Sequence, residues 1–222
     1  MRILQHVDNR RGAVTRCPSL GRVPWDRFFE DLEDQLDSEW EAERAALDTE
    51  AERLRLARLT LRQRLVSLAE GADAPPRLEL ADGDAVTGPL AAVGADWVAL
   101  TPDTRRAGAV LVPVAAIVAI GMPHADVLRS ARADTASAPR LAERMTFGFV
   151  LRDLVRRRTP VTVTVLGSRG LSGTIDRAGA DHLDLALHDR GQPRRSGLVT
   201  GHRVIPFSAV VAVRLDAPAP LP

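Results

Sequence analysis

The amino-acid sequence predicts an α+β protein, in which a long N-terminal amphipathic helix precedes two tandem small β-barrels, each a helix plus five strands. Two observations predict this fold. Apolar residues recur every three or four positions in residues 26–70, and a series of β-rich motifs then occurs twice in the same order. The expected segments are a disordered basic tail (1–25), the helix (26–70), a first barrel (71–121), a linker (122–140), a second barrel with its leading helix (141–216) and a Pro-rich tail (217–222).

The composition excludes several kinds of chemistry. The chain has 222 residues, 45% of them hydrophobic, with 30 basic and 29 acidic side chains, which is typical of a globular protein. Every basic residue is an arginine, so a lysine nucleophile is excluded, and the single cysteine, Cys17, excludes a disulfide framework and a cysteine-based zinc site. No long apolar run predicts a membrane span, and the basic N-terminus lacks the apolar core of a signal peptide. We expect a cytoplasmic protein without a cofactor or metal.

The first element is a helix whose two ends carry opposite charge. Its apolar stripe consists of Phe29, Leu32, Leu36, Trp40, Leu47, Ala51, Leu54, Ala57, Leu61, Leu65 and Leu68. Asp26 is a plausible N-cap and Gly71 a plausible stop. Residues 26–53 hold twelve acids and three arginines (net −9), whereas residues 54–70 have a net charge of +3. A helix of roughly 65 Å exceeds the width of a small barrel, so we expect coiled-coil or partner pairing; the alternative is a solvated acidic face on a helix that packs against its own domain.

The motifs after the helix indicate a tandem duplication. Residues 86–90, 94–100 and 112–120 correspond in order to 171–175, 179–185 and 205–213. The offset is 85 between Gly88 and Gly173 and 93 between Pro113 and Pro206, which places an eight-residue insertion near residues 190–201. The leading helices also match at an offset of 86, where Arg58-Leu59-Thr60 corresponds to Arg144-Met145-Thr146. Five short strands in about 65 residues can bury their edges by curling into a barrel.

The second copy resembles a known family in the order of its parts. These are a helix that ends in 154–160, a strand at 161–165, Gly173 in a bent second strand, and the segments 181–185 and 205–213. In this order residues 147–215 resemble the Sm-like family (Sm, LSm and Hfq), and the first copy resembles it more weakly. The resemblance implies small, strongly bent, SH3-like barrels that join through strand edges. The family's RNA-reading residues are largely not matched, because Asp184 stands where members have Asn and Pro206-Phe207 replaces a basic pair.

Arginines in the second copy are candidate nucleic-acid or anion contacts. Residues 144–216 carry twelve arginines against six acids, a net charge of +6, and such a cluster suits a phosphate-binding face. The candidates are Arg156, Arg157, Arg158, Arg190, Arg194 and Arg195. In the alternative interpretation, the arginines at the end of the helix hydrogen-bond its last carbonyl groups and interact favourably with the helix dipole. No aromatic residues lie between the arginines to stack on bases.

Large apolar residues are candidate partner contacts. They are Phe29, Leu32, Leu36 and Trp40 on the helix and Trp97 in the first copy, where the second copy has His182. Core packing is the alternative for each of them. His182 and Asp184 have a spacing that could place two metal ligands together, but a third is not local, and no catalytic motif appears.

These observations favour a non-catalytic protein that binds protein partners or self-associates through its 26–70 helix, as a homo-oligomer. The alternative is a regulator that binds RNA or DNA through the arginine-rich second barrel.

Overall fold

The computed structural model describes residues 24–102, 108–132, 144–167, 170–191 and 194–216, with side chains from residue 28. The predicted tail 217–222 and nearly all of the predicted tail 1–25 lie outside these ranges. The helices are α1 Pro24–Arg58, α2 Leu61–Gly71, α3 His124–Ala131 and α4 Phe147–Arg157. The strands are β1 Arg77–Leu80, β2 Ala85–Thr87, β3 Leu90–Val93, β4 Trp97–Leu100, β5 Val110–Pro113, β6 Ile117–Gly121, β7 Pro160–Val165, β8 Leu171–Ala178, β9 His182–Leu187, β10 Gly201–Pro206 and β11 Val210–Leu215.

The predicted 26–70 helix is two helices, which corrects the sequence prediction. Thr60 has an extended backbone between α1 and α2, with φ −85° and ψ 155°. Its hydroxyl accepts a hydrogen bond from the Gln63 amide at 3.2 Å, and the Gln63 side chain accepts one from the Thr60 amide at 2.8 Å. This capping box starts a new helix. Apolar periodicity continues across the break, so periodicity alone did not reveal it. Residues 1–55 and 56–222 form separate compact units, and α1 makes up the described part of the first.

The strands of the second unit form two antiparallel sheets. One has the order β2-β1-β6 and the other β10-β9-β8-β7-β11-β5-β4-β3. An α+β protein with a long N-terminal helix is thus confirmed. In the pairings of the described strands neither sheet closes on itself, so closed tandem barrels stay a prediction.

Both copies use the same strand order. In the second copy the fifth, first, second, third and fourth strands are neighbours, as β11-β7-β8-β9-β10. In the first copy the second strand is divided into β2 and β3 by Gly88-Pro89, so β6-β1-β2 lies in one sheet and β3-β4-β5 in the other. This shared order supports the duplication read from the sequence.

Equivalent glycines lie in the second strands of both copies, where another backbone comes close. A Cβ atom on Gly88 would lie 2.6 Å from the carbonyl oxygen of Thr101, and one on Gly173 would overlap the carbonyl oxygen of Ala186. Only glycine permits this approach. The glycine of the second strand that the sequence singled out therefore lies where a neighbouring backbone leaves no room for a side chain.

The two hydrophobic clusters each contain residues from both copies. Trp97, Ala99 and Leu111 of the first copy pack in the cluster formed mainly by α4 and strands β7–β11. Val211 and Ala212 of β11 pack in the cluster formed mainly by the first copy. Because neither cluster belongs to one copy alone, we expect the copies to unfold together.

The segment predicted as a linker, 122–140, contains helix α3, which packs beside α2. Arg64 on α2 donates to the Ser130 hydroxyl at 3.0 Å and to the Val127 carbonyl at 3.0 Å. The Asp126 carboxylate is buried and accepts a hydrogen bond from the Asp73 amide at 3.0 Å. This bond, with help from Arg129, lowers the pKa of Asp126 against the opposing effect of burial.

Replacing Gly173 with alanine should destabilise the fold. Because the new Cβ overlaps a backbone oxygen that cannot swing away, Gly173→Ala should lower the free energy of unfolding by about 2 kcal/mol. Urea denaturation measures this loss. Gly197→Ala is the control, since its Cβ meets nothing within 4 Å, and it should change the free energy by less than about 0.5 kcal/mol. Equal losses in both variants would contradict the steric explanation.

Candidate assembly surfaces and an arginine pocket

The two copies are joined strand to strand. The fifth strand of the second copy, β11, pairs antiparallel with the fourth strand of the first, β5, with Val213 opposite Leu111 and Arg214 opposite Val110. The Leu215 amide also donates to the Ala109 carbonyl at 2.9 Å. We call this pairing and its flanking contacts the junction. It makes one continuous eight-stranded sheet from two copies.

A second set of contacts at the junction holds the beginning of α4. The Asp96 carboxylate accepts a hydrogen bond from the Phe147 amide at 2.6 Å. The Met145 carbonyl accepts bonds from the indole nitrogen of Trp97 and the Ala95 amide, both at 2.9 Å. The turn before β4 of the first copy therefore caps the leading helix of the second.

Trp97 is completely buried, which corrects its place among the candidate partner contacts. Its ring packs in the shared core, and its one polar atom bonds the Met145 carbonyl. A buried indole with a satisfied N–H has no surface to offer another protein. Trp97 joins the copies from within, which is the core alternative that the sequence left open.

Four of the described strands stand at sheet ends: β2, β3, β6 and β10. β2 and β3 are the two parts of the divided second strand of the first copy. Apart from them, each copy has one strand at a sheet end, β6 in the first copy and β10 in the second. β6 is the fifth strand of the first copy, equivalent to β11, and β10 is the fourth strand of the second, equivalent to β5. The edge strands β6 and β10 are therefore equivalent in the repeat to β11 and β5, the two strands that pair at the junction.

Exposed valines mark both of these edges. Val118 on β6 and Val204 on β10 are each 70% exposed. At the offset of 93, their counterparts at the junction are Val211, which is 2% exposed, and Leu111, which is 0% exposed. An apolar position that is buried where the copies meet is therefore open at each outer edge.

The second copy also carries an exposed counterpart of the turn that holds α4. Asp181 and His182 are equivalent to Asp96 and Trp97 at the offset of 85, and both are exposed. Their side chains bond each other at 2.8 Å, and this bond lowers the pKa of Asp181. The turn has the same conformation in both copies, because the Asp181 carbonyl accepts from the Phe207 amide as the Asp96 carbonyl accepts from the Val114 amide.

Helix α1 presents its candidate residues to solvent. Phe29, Leu32, Leu36 and Trp40 are exposed along one face, and Trp40 is the most exposed of them, at 60%. Phe28 and Phe29 contact each other edge to face, with ring centroids 5.9 Å apart. The structure thus places these four predicted contacts on one surface of the first unit.

A polar pocket of about 480 Å³ gathers four arginines of the second copy. Arg156 and Arg158 at the end of α4, Arg177 on β8 and Arg194 line it, around the carboxylate of Asp176. Arg194 forms a two-pronged pair with Asp176 at 2.5 and 2.7 Å, which raises the pKa of Arg194. Four arginines and one carboxylate give the lining a net charge of +3, which favours an anion, and Arg156 also pairs with the carboxylate of Asp153, which does not line the pocket.

The other predicted arginines do not line the pocket. Arg157 pairs with the buried carboxylate of Asp153 at 2.7 Å, which it shares with Arg156 of the pocket, and Arg190 pairs with Asp216 at 3.0 Å. Arg195 is exposed and does not line the pocket. Arg177 was not predicted, because a single arginine within a strand gives no local signal and only the tertiary fold places β8 beside the end of α4.

No protein-family model, curated protein or solved structure matches this chain.

Two other features of the described ranges bear on function. No three His, Cys, Asp or Glu side chains there are grouped so that they could hold a metal ion. None of the helices described is long and apolar enough to cross a membrane.

Removing the Asp96 carboxylate should weaken the junction. Asp96→Ala leaves the first amide of α4 without its acceptor, so the free energy of unfolding should fall by about 1 kcal/mol. Thermal or urea denaturation checks this. Asp181→Ala is the matched control in the other copy, where the carboxylate bonds only an exposed histidine of the same chain. Measured at a concentration low enough for copies of the chain to be dissociated, it should cost less than about 0.5 kcal/mol. A larger loss in the control would contradict the role assigned to Asp96.

Proposed function

We propose that this chain is a non-catalytic binding and assembly protein, built from two tandem Sm-like barrels, that joins copies of itself head to tail through its outer strand edges. One observation carries the proposal. The edges of β6 and β10 are repeats of the two strands that already pair at the junction, and both present exposed valines where the junction buries apolar side chains.

The junction supplies the geometry of the proposed contact. Applying the offset of 93 to its register places Ile120 of β6 opposite Val204 of the next copy's β10, and Gly121 opposite Arg203. Val118 would be covered as Val211 is covered at the junction. Backbone pairing of two antiparallel edges with apolar side chains beside them is a common way to join sheets.

The exposed turn of the second copy supports the same contact. The residues equivalent to Met145 and Phe147 are Leu59 and Leu61, at the start of α2. In the proposed contact, the Asp181 carboxylate accepts a hydrogen bond from the Leu61 amide of the next copy, and the ring of His182 donates to its Leu59 carbonyl. Histidine can replace tryptophan here because both rings offer an N–H donor.

The strand order supports the Sm-like assignment. Each copy has a leading helix, a second strand whose glycine closely approaches another backbone, and the neighbour order fifth, first, second, third, fourth, with the second strand of the first copy divided between two sheets. These are the parts that carried the resemblance in the sequence. Helix α1 adds a second binding surface through its exposed apolar face.

The arginine pocket favours a second candidate function, the binding of RNA or DNA. Three of the six arginines proposed from the sequence, Arg156, Arg158 and Arg194, line one pocket together with Arg177. A net positive pocket of this size suits a phosphate group of a nucleic-acid backbone. Asp176 opposes this function, since its carboxylate already occupies Arg194.

Charges placed on the two edges should reduce assembly, and mixing should restore it. Val118→Asp blocks β6 and Val204→Asp blocks β10, because an aspartate there would be buried without a partner. Each variant should sediment at a lower mass than the unaltered chain. A mixture of the two variants should sediment at a higher mass than either alone, because the unaltered β10 of the Val118→Asp chain can pair with the unaltered β6 of the Val204→Asp chain.

Leu166→Asp is the control for these variants, because Leu166 is an exposed apolar residue outside both edges. It should sediment like the unaltered chain. If Val118→Asp and Val204→Asp also leave the mass unchanged, the head-to-tail proposal fails.

Nucleic-acid binding should depend on the pocket arginines. Replacing Arg156, Arg158 and Arg177 with alanine should weaken binding of a labelled single-stranded RNA at least tenfold at low salt, and should flatten the dependence of log K on log salt by about 0.7 per lost phosphate contact. Fluorescence anisotropy measures both quantities, with duplex DNA in parallel. Arg190→Ala, which lies outside the pocket, is the control and should bind nearly normally. No binding by the unaltered chain at low salt would remove this candidate.

A further inference from the structure

The exposed stripe of α1 has a spacing that is symmetric about its centre. It consists of one acid, Glu43, and seven apolar residues, Phe29, Leu32, Leu36, Trp40, Leu47, Ala51 and Leu54, and every one is exposed. Their successive steps of 3, 4, 4, 3, 4, 4 and 3 are the same from either end of the helix. Two such helices running in opposite directions therefore place a stripe residue opposite each stripe residue, with Leu32 opposite Ala51 and Leu36 opposite Leu47. The one polar position, Glu43, lies opposite Trp40.

Charge decides the direction of pairing. Residues 28–42 contain seven acids and no arginine, a net charge of −7, whereas residues 43–58 contain four acids and four arginines, a net charge of zero. A parallel pair in register would place −7 beside −7 over some 22 Å. An antiparallel pair places each acidic half beside the neutral half of the other helix, so the repulsion is far smaller.

The row of charges beside the stripe also distinguishes the two directions. The row consists of Glu30, Glu33, Asp37, Glu41, Arg44, Asp48, Glu52 and Arg55. In an antiparallel pair related by a two-fold axis, the row of one helix faces the same row of the other. Arg44 then falls between the levels of Asp37 and Glu41 of the second helix, and Arg55 falls near Glu30, whereas Asp48 and Glu52 fall beside acids. Attraction and repulsion are therefore balanced in the antiparallel row, whereas a parallel pair in register places the four acids at the start of the row beside the acidic half of the second helix.

We infer that α1 pairs antiparallel with α1 of a second copy of this chain, with the pair centred between Glu41 and Ala42. This inference deepens the proposed function, because it names the partner of the α1 surface. Pairing of the helices does not require pairing of the strand edges, so an experiment can contradict either proposal without contradicting the other. Together they imply that head-to-tail assemblies are linked in pairs through their helices.

Disulfide formation between engineered cysteines tests the inference. All chains are full length and carry Cys17→Ser, and also Val118→Asp and Val204→Asp to block both strand edges. Leu32→Cys chains mixed with Ala51→Cys chains should form the mixed disulfide in high yield on mild oxidation. Each alone should not, because two residues at position 32 lie 19 residues apart along the antiparallel pair, about 28 Å, and a disulfide needs Cα atoms within about 7 Å.

Three control variants and two contrary results complete the test. Ser38→Cys, on the face opposite the stripe, should not cross-link with either variant. Arg44→Glu should lower the yield of the mixed disulfide several-fold, whereas Ala45→Glu, which adds an acid on the face opposite the stripe, should not. Self-cross-linking of Leu32→Cys would show a parallel pair and overturn the inference. Sedimentation of the edge-blocked chain as one chain at all concentrations, without a mixed disulfide, would also overturn it, whatever the result for the strand edges.

Discussion

The pairing of β11 with β5 is the interaction on which the rest of the second unit depends. It brings the last strand of one copy beside the fourth strand of the other, so that side chains of β11 enter the first copy's cluster and Trp97 enters the second copy's cluster. Neither copy retains a complete core if this pairing opens. The junction also places the turn at Asp96 beside the beginning of α4. There the Asp96 carboxylate accepts from the Phe147 amide, and the Met145 carbonyl accepts from the indole of Trp97. Sheet, core and helix cap therefore form together.

When two tandem copies pair through one strand edge each, the equivalent edges on their outer sides stay uncovered. The inner fourth and fifth strands cover each other, but the outer ones, β10 and β6, have no neighbour among the described strands. Exposed edge strands are a liability that proteins usually protect with charge, proline or a bulge. Here β6 carries Val118 and no charged residue, and β10 carries Arg203 and ends at Pro206, so protection is incomplete on one edge and partial on the other. Such edges are consistent with controlled association of the chain with its own copies.

Much of this could be predicted from the sequence. The duplication was visible because turn glycines and apolar alternation recur at fixed offsets, and these follow from local backbone sterics and from which face of a strand is buried. The break at Thr60 was missed because the apolar period continues through it, and only the Thr60–Gln63 capping box marks it. Trp97 was ambiguous because burial of a residue at a strand start depends on what the next copy places over it. The arginine pocket was found in part, since Arg156 and Arg158 are adjacent to a helix end, while Arg177 reaches them only through a long-range register.

The near-neutral total charge conceals an ordered distribution. The acidic half of α1 belongs to one unit and the arginine pocket to the other. In the proposed helix pair the acids lie opposite the neutral half of a second α1, and in the pocket Arg194 pairs with Asp176. An acidic helix that only served to neutralise the pocket would need no apolar stripe, and a stripe that only packed on its own domain would need no mirror-symmetric spacing. Both features occur on the same 26-residue stretch, from Phe29 to Leu54. Symmetric spacing is what a surface requires when its partner is itself, because a two-fold axis pairs each position with its mirror position.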